Sequence, residues 1–412
     1  MHVGKLRLGR SYTALWAAST ISNLGDGIRA AALPLLAASA SASPGAVAAI
    51  AFSGQVPWLV VSLATGALAD RWNRRSIMWI VDTVRAVIMS SLAIWAWTGH
   101  VGVGLLCIVA FLLGSAQTAF DNASHAVLPA MVPKEGLPAA NGRLMSSRIV
   151  FANLAGSPLG GILFAVAVAL PFCLDGVSFL AAALIVAVGL PRQVGRVAER
   201  SDSGILTSIR TGFTWVRHNR AVMDIAVVIA VVNFTQATTQ SILVLYALDD
   251  LGLGRAGYGF LLAAAGIGGA VGGLLIGPAS RRIDGRVILS SAIIATVPIF
   301  ALLAVTSSPW VAALLLASNA TCGVGASVLL SSTRQALVPP HLLARVNSIV
   351  GMTAIGIGLP LGSLVGGGIA SWLGLRAPFV LSAILVAACC LFLPRIMVSY
   401  GLKPAERDIA GG

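Results

Sequence analysis

The sequence predicts an all-α integral membrane protein with twelve transmembrane helices in two pseudo-symmetric six-helix bundles. Three observations lead there. Of the 412 residues, 57% are hydrophobic and 10% charged, and the mean hydropathy is +0.92. A water-soluble domain cannot bury that share of apolar surface. A bilayer core takes about 20 apolar residues per helix, and twelve stretches reach that length. Polar motifs that follow early spans return after later ones, so the chain reads as one unit duplicated.

The apolar stretches run at roughly 11–40, 46–69, 76–98, 101–125, 143–170, 172–190, 220–249, 256–279, 287–306, 309–333, 345–371 and 376–398. The first follows MHVGKLRLGR, which has the charge of a signal-peptide n-region. The apolar stretch after it is longer than an h-region and has no convincing cleavage site, so it reads as a retained first span. The long polar segment 191–219 divides the spans six and six. The expected organisation is therefore 1–190, a cytoplasmic linker 191–219, and 220–412. Within the linker, ILTSIRTGFTWVRHN (205–219) has helical spacing of apolar residues and suits a short surface helix.

The repeat is visible in the polar segments. GALADRWNRR (66–75) corresponds to GPASRRIDGR (277–286), VPKEGLPAAN (132–141) to VPPHLLARVN (338–347), and GSPLGG (156–161) to GLPLGS (358–363). Asn23 in the first span is expected opposite Asn233 in the seventh. Parallel six-helix halves around a central cavity are a transporter plan.

The net charge of +13 would suggest a nucleic-acid partner in a soluble protein. Here the basic residues sit in short segments between apolar runs. With a cytoplasmic N-terminus, twenty-two of them fall on the inside and two, Arg255 and Arg376, outside. That bias orients the chain in a cell inner or plasma membrane with both termini cytoplasmic, and no nucleic acid is expected. The five cysteines lie in apolar runs without a CxxC pattern and are expected to be buried and unpaired. Scattered carboxylates and histidines lack ligand spacing, so neither a metal nor another cofactor is expected. Without a Walker-type phosphate loop, ATP does not drive the protein directly, and no nucleophile motif marks an enzyme.

Charged residues inside the spans carry the remaining information. Asp26 and Arg29 lie near the middle of the first span, where each ionised group costs about 2.5–3.5 kcal/mol on insertion scales. Their i, i+3 spacing puts them on one face. They form either a structural ion pair or a proton- or cation-binding site in which Arg29 tunes Asp26. Asp82 and Arg85 repeat the spacing near the inner end of the third span. With Asp121 and His125 in the fourth and Arg148 in the fifth, they are expected to form an inner charge network. Asp175, Asp249 and Asp250 are expected to face water at outer ends. Asn233, Gln236 and Gln240 share a helical face, which is expected to line the cavity with Gln55, Gln117 and Asn319. Hydrogen bonds between packed helices are the other reading of these amides.

GALADRWNRR between spans two and three, with six plus six spans and cytoplasmic termini, resembles the major facilitator superfamily. ISNLGDGIRAAALPLL (21–36), DTVRA (82–86) and AVLPAMVPKEGLPAANGRL (126–144) are similar to its drug- and siderophore-exporting branch, which includes macrolide efflux and enterobactin export proteins. The family often has glycine where Asn73 stands, and Pro158 falls one place later than in that branch. The resemblance implies a monomeric, proton-coupled exporter of a small hydrophobic compound, working by alternating access. An importer or facilitator, and a non-transporting receptor or accessory protein, are the alternatives. The resemblance also implies a conformational latch at Gly66, Asp70, Arg71, Arg74 and Arg75, with Asp70 set against Arg345–Ser348. A solvated loop charge is the plainer reading of Asp70.

Overall fold

The computed structural model describes residues 9–61, 73–133, 136–191 and 213–391. The described chain is helical. In order it forms α1 (Gly9–Ala40), α2 (Pro44–Val60), α3 (Arg74–Thr98), α4 (Val103–Met131), α5 (137–166), α6 (Leu170–Gly189), α7 (Arg220–Gln240), α8 (Arg255–Arg282), α9 (Gly285–Val305), α10 (Pro309–Leu337), α11 (340–373) and α12 (Ala377–Cys390). Among the described residues nine of these, α3 to α11, are long and apolar enough to cross a membrane. α2 and α12 are apolar but shorter, and α1 is long but carries Asp26 and Arg29. Twelve helices thus stand where twelve apolar runs are read. Residues 213–218, the described end of the linker, are helical. Val216 packs there with Val222, Val338 and Val346.

The helices gather into two compact units, Met1–Arg200 with Ala247–Gly266, and Ser201–Tyr246 with Ile267–Gly412. In the first unit α6 packs on α1 and α3, α4 on α2 and α3, and α5 on α1. The second unit repeats this scheme, with α12 on α7 and α9, α10 on α9, and α11 on α7. α8 meets α10 where a Cβ on Gly268 or Gly272 would strike the backbone of Ala317 or Thr321.

Local chemistry repeats as well. α3 starts on Asn73, whose Oδ1 accepts from Arg75 N at 3.0 Å. α9 starts on Asp284, which accepts from Arg286 N at 2.8 Å. Short polar side chains at this position satisfy orphan amides of the first turn, which explains an asparagine at position 73. α5 and α11 each contain a π-helical stretch, Arg148–Gly156 and Met352–Gly358, just before Pro158 and Pro360. Proline has no N–H to donate to the preceding turn, and a wider turn is one way to absorb that loss.

The crossings are built on glycine. A Cβ on Gly160 would strike the carbonyl of Ile28, and one on Gly362 would strike that of Phe234. Matching these crossings puts Asn233 level with Gly27, so Asn23 is not its counterpart.

Candidate functional site

The first unit holds a cluster of charges at membrane depth. Asp26 faces Arg29 one turn on, and Arg29 Nη2 donates to Asp26 Oδ1. Arg29 Nε lies 3.2 Å from Asp175 Oδ2 of α6, an ion pair without hydrogen-bond alignment. One guanidinium therefore serves two carboxylates. Their exposures differ sharply: the Asp26 side chain is 25% accessible and that of Asp175 is 0%.

The expectation that Asp175 faces water is overturned. It is fully buried, beside Ser178, whose Oγ donates to the Asp175 carbonyl at 2.8 Å and to Oδ1 at 3.4 Å. Gly25 makes the approach possible, since a Cβ there would collide with Ser178 Oγ and Asp175 Oδ1. Gly27 gives the same clearance toward Ala152 of α5. The run LGDG thus places α6 and α5 on either side of Asp26. Asp249 is exposed, as expected, and Asp250 beside it is half-buried.

A second group lies on α3 and α4. Arg85 Nη1 donates to Asp82 Oδ1 at 3.3 Å, and both side chains are buried. Arg85 Nη2 donates to Gln117 Oε1 at 3.0 Å, and Gln117 Nε2 donates to Asp121 Oδ1 at 2.9 Å. The guanidinium also sits between the rings of Phe120 and Phe179, 5.1 and 5.2 Å from their centroids. Such contacts are stronger where water is excluded. Gln117, half-buried, thus links Arg85 to Asp121. Arg148 stands apart: it is exposed on α5 and belongs to none of the ion pairs among the described residues. The side chain of His125 lies outside the described residues.

In the second unit Asn319 Nδ2 donates to Gln236 Oε1 at 3.3 Å, so these two expected cavity residues meet. Asn233 is half-buried and donates to Ile229 O of its own helix at 2.8 Å. Gln240 is exposed at the end of α7, and Gln55 is half-buried in α2. Gly66, Asp70 and Arg71 of the expected latch lie outside the described residues, as do the side chains of Arg345 and Ser348. Of the rest, Arg74 is half-buried at the start of α3. Arg75 donates to the carbonyl of Ala187 in the last turn of α6, where a cation meets the negative end of the helix dipole. All five cysteines are unpaired, but Cys173 is exposed and only Cys389 is fully buried.

The arrangement can hold an incoming positive charge. Asp26, Asp82, Asp121 and Asp175 against Arg29 and Arg85 leave a formal surplus of two negative charges. Buried surplus charge is costly, so protons or a cation are its natural counterions.

The family model described as "Transmembrane secretion effector" matches residues 8–408. The chain is 26% identical over 401 residues to the multidrug efflux pump Tap of Mycolicibacterium fortuitum, covering 93% of this chain and 95% of that one. It is 24% identical over 398 residues to macrolide efflux protein A of Streptococcus pyogenes, with 93% and 95% covered. Solved structures share the fold. A bacterial homologue of the human lysosomal transporter Spinster, inward-facing and unoccupied, has a TM-score of 0.76 at 14% identity, covering 98% of this chain and all of that one. The nucleoside transporter NupG has a TM-score of 0.73 at 14% identity, covering 96% of this chain and all of that one. Two repeated units of membrane helices, a charged first unit and a match across nearly the whole chain place this protein in the transmembrane secretion effector family of major facilitator superfamily transporters.

Proposed function

We propose that this protein exports a small, largely apolar compound from the cytoplasm in exchange for protons. The observation that carries the reading is Arg29 shared between a partly accessible Asp26 and a fully buried Asp175. A proton reaching Asp26 changes which carboxylate holds the guanidinium. That is a local event able to bias a packed, two-state element. The names of the efflux-pump relatives support export as the direction, and the exported class is a drug-like or siderophore-like molecule. The chain acts as a monomer in the inner or plasma membrane with both termini inside, as its basic residues favour. Alternating access moves residues 1–190 against 220–398, joined by 191–219. The Asn233, Gln236, Gln240 and Asn319 amides, with Gln55, face the compound.

The test is transport in sealed vesicles with an imposed pH gradient, using a panel of cationic dyes and uncharged antibiotics. Accumulation that collapses when the gradient is discharged is the expected result. If the gradient moves none of the panel, export coupled to protons is wrong.

Asp70 is assigned the latch. A carboxylate there pairs with the neighbouring arginines and with the positive end of a helix in one conformation and releases them in the other. Asp70→Asn is expected to shift the crosslinking pattern of cysteines placed in the inner loops by at least threefold in yield. An unchanged pattern removes the latch and leaves Asp70 a solvated charge.

A further inference from the structure

The second unit has a pocket where the first has its charges. Three independent anchors align the units. The caps of α3 and α9 match Arg75 with Arg286, and ten residues on stand Arg85 and Thr296. The ends of α4 and α10 match Val132 with Val338, and twelve residues back stand Phe120 and Ala326. The buried Pro-Phe pairs that open α6 and α12 match Phe172 with Phe379, and seven residues on stand Phe179 and Val386. In the first unit Arg85, Phe120 and Phe179 are stacked together and fill the space. Their counterparts Thr296, Ala326 and Val386 all line one pocket, together with Thr235, Gln236 and Asn319. Substituting threonine, alanine and valine for arginine and two phenylalanines opens a narrow space of about 40 Å³.

The lining chemistry selects a ligand. It holds no charged side chain to neutralise an ion. It offers the Gln236–Asn319 amide pair and the hydroxyls of Thr235 and Thr296 against apolar walls. Convergent polar groups in an otherwise apolar concavity are the pattern of a small-molecule site. Gln236 is exposed while Asn319 is buried, so the pocket has a wet end and a dry end. A space of that size suits a single small functional group and not a whole drug. Resting on the transport reading above, we propose that this pocket is a specificity site for an uncharged hydroxyl- or amide-bearing group of the exported compound.

Cys322 lines the pocket and reports on it. The full chain, with Cys107, Cys173, Cys389 and Cys390 changed to alanine, is placed in nanodiscs and treated with a small methanethiosulfonate. Chloramphenicol, uncharged and bearing hydroxyls and an amide, is expected to slow labelling of Cys322 at least fivefold. Tetraphenylphosphonium, a cation without hydrogen-bonding groups, is expected to leave it unchanged. Ala326→Phe refills the pocket with the side chain of the first unit and is expected to weaken chloramphenicol protection at least tenfold. Gln236→Leu, an exposed position that spares the core, should do the same and decides the matter if Ala326→Phe misfolds. No protection by chloramphenicol, equal protection by the two compounds, or undiminished protection in Gln236→Leu overturns the proposal. The binding result stands apart from transport: protected Cys322 in vesicles that move nothing would sink the exporter reading and keep the pocket.

Discussion

Arg29→Thr is expected to cost the protein about 3–5 kcal/mol of stability, and adding Asp175→Ser should recover most of it. Removing one partner of a buried pair leaves an uncompensated charge, which is where a cost of that size comes from. Here the position is worse than an ordinary pair, because Asp175 is wholly inaccessible and Asp26 is beside the same guanidinium. The double variant is not arbitrary. Matching the glycine crossings sets Arg29 against Thr235, and matching the Pro-Phe pairs sets Asp175 against Ser382. In the second unit Ser382 Oγ lies 3.5 Å from the Thr235 carbonyl, with no ion involved. The protein therefore already contains a neutral solution to the same packing problem. Thermal unfolding in detergent, followed by loss of the monodisperse peak, measures both variants. If Arg29→Thr is as stable as the parent, or if the double variant is no better than the single, the shared guanidinium does not hold α1 to α6.

Asp26→Asn should abolish movement driven by a pH gradient, at least a tenfold loss, while preserving substrate exchange without a gradient. The amide keeps the size and accepts from Arg29 but cannot take up or release a proton. Asp26 is singled out over Asp175 by access, since a quarter of its side chain is open and none of the other's is. Transport by the parent is expected to change with external pH at fixed gradient, and the Asp26→Asn profile to be flat. Counterflow in proteoliposomes supplies the control: loss of counterflow as well would make Asp26 a structural group. An unaltered pH profile in the variant would move the proton site elsewhere.

The topology was legible because bilayer thickness sets helix length and polar segments between spans cannot hide. Two local pairs, Asp26–Arg29 and Asp82–Arg85, were legible because residues three apart on a helix share a face. Asp175 was not. Near the end of an apolar run a lone aspartate resembles a loop charge, and its partner comes from a helix distant in sequence. The usable signal was Gly25, which a neighbouring carboxylate needs for clearance. Arg148 misled for a different reason: its place near the inner end of the fifth span put it with the other charges, but it is exposed, whereas Ala152, Gly156 and Gly160 further along α5 are buried. Gln117 was assigned to the cavity on polarity alone, yet a side-chain amide both donates and accepts, which lets it link Arg85 to Asp121.

The uneven distribution of ions between the repeats has an electrical consequence. A membrane potential exerts about 2.3 kcal/mol per charge per 100 mV on charge carried across the bilayer. Among the described mid-membrane residues, Asp26, Asp82, Asp121, Asp175, Arg29 and Arg85 all belong to the first unit, whereas the matching second-unit positions Thr235, Thr296 and Ser382 are neutral. The field therefore pulls on one repeat and leaves the other nearly unloaded. Two bound protons would cancel the formal surplus and switch that pull off. On the proton-exchange reading, voltage and protonation would act on the same set of side chains, all of them in the first repeat.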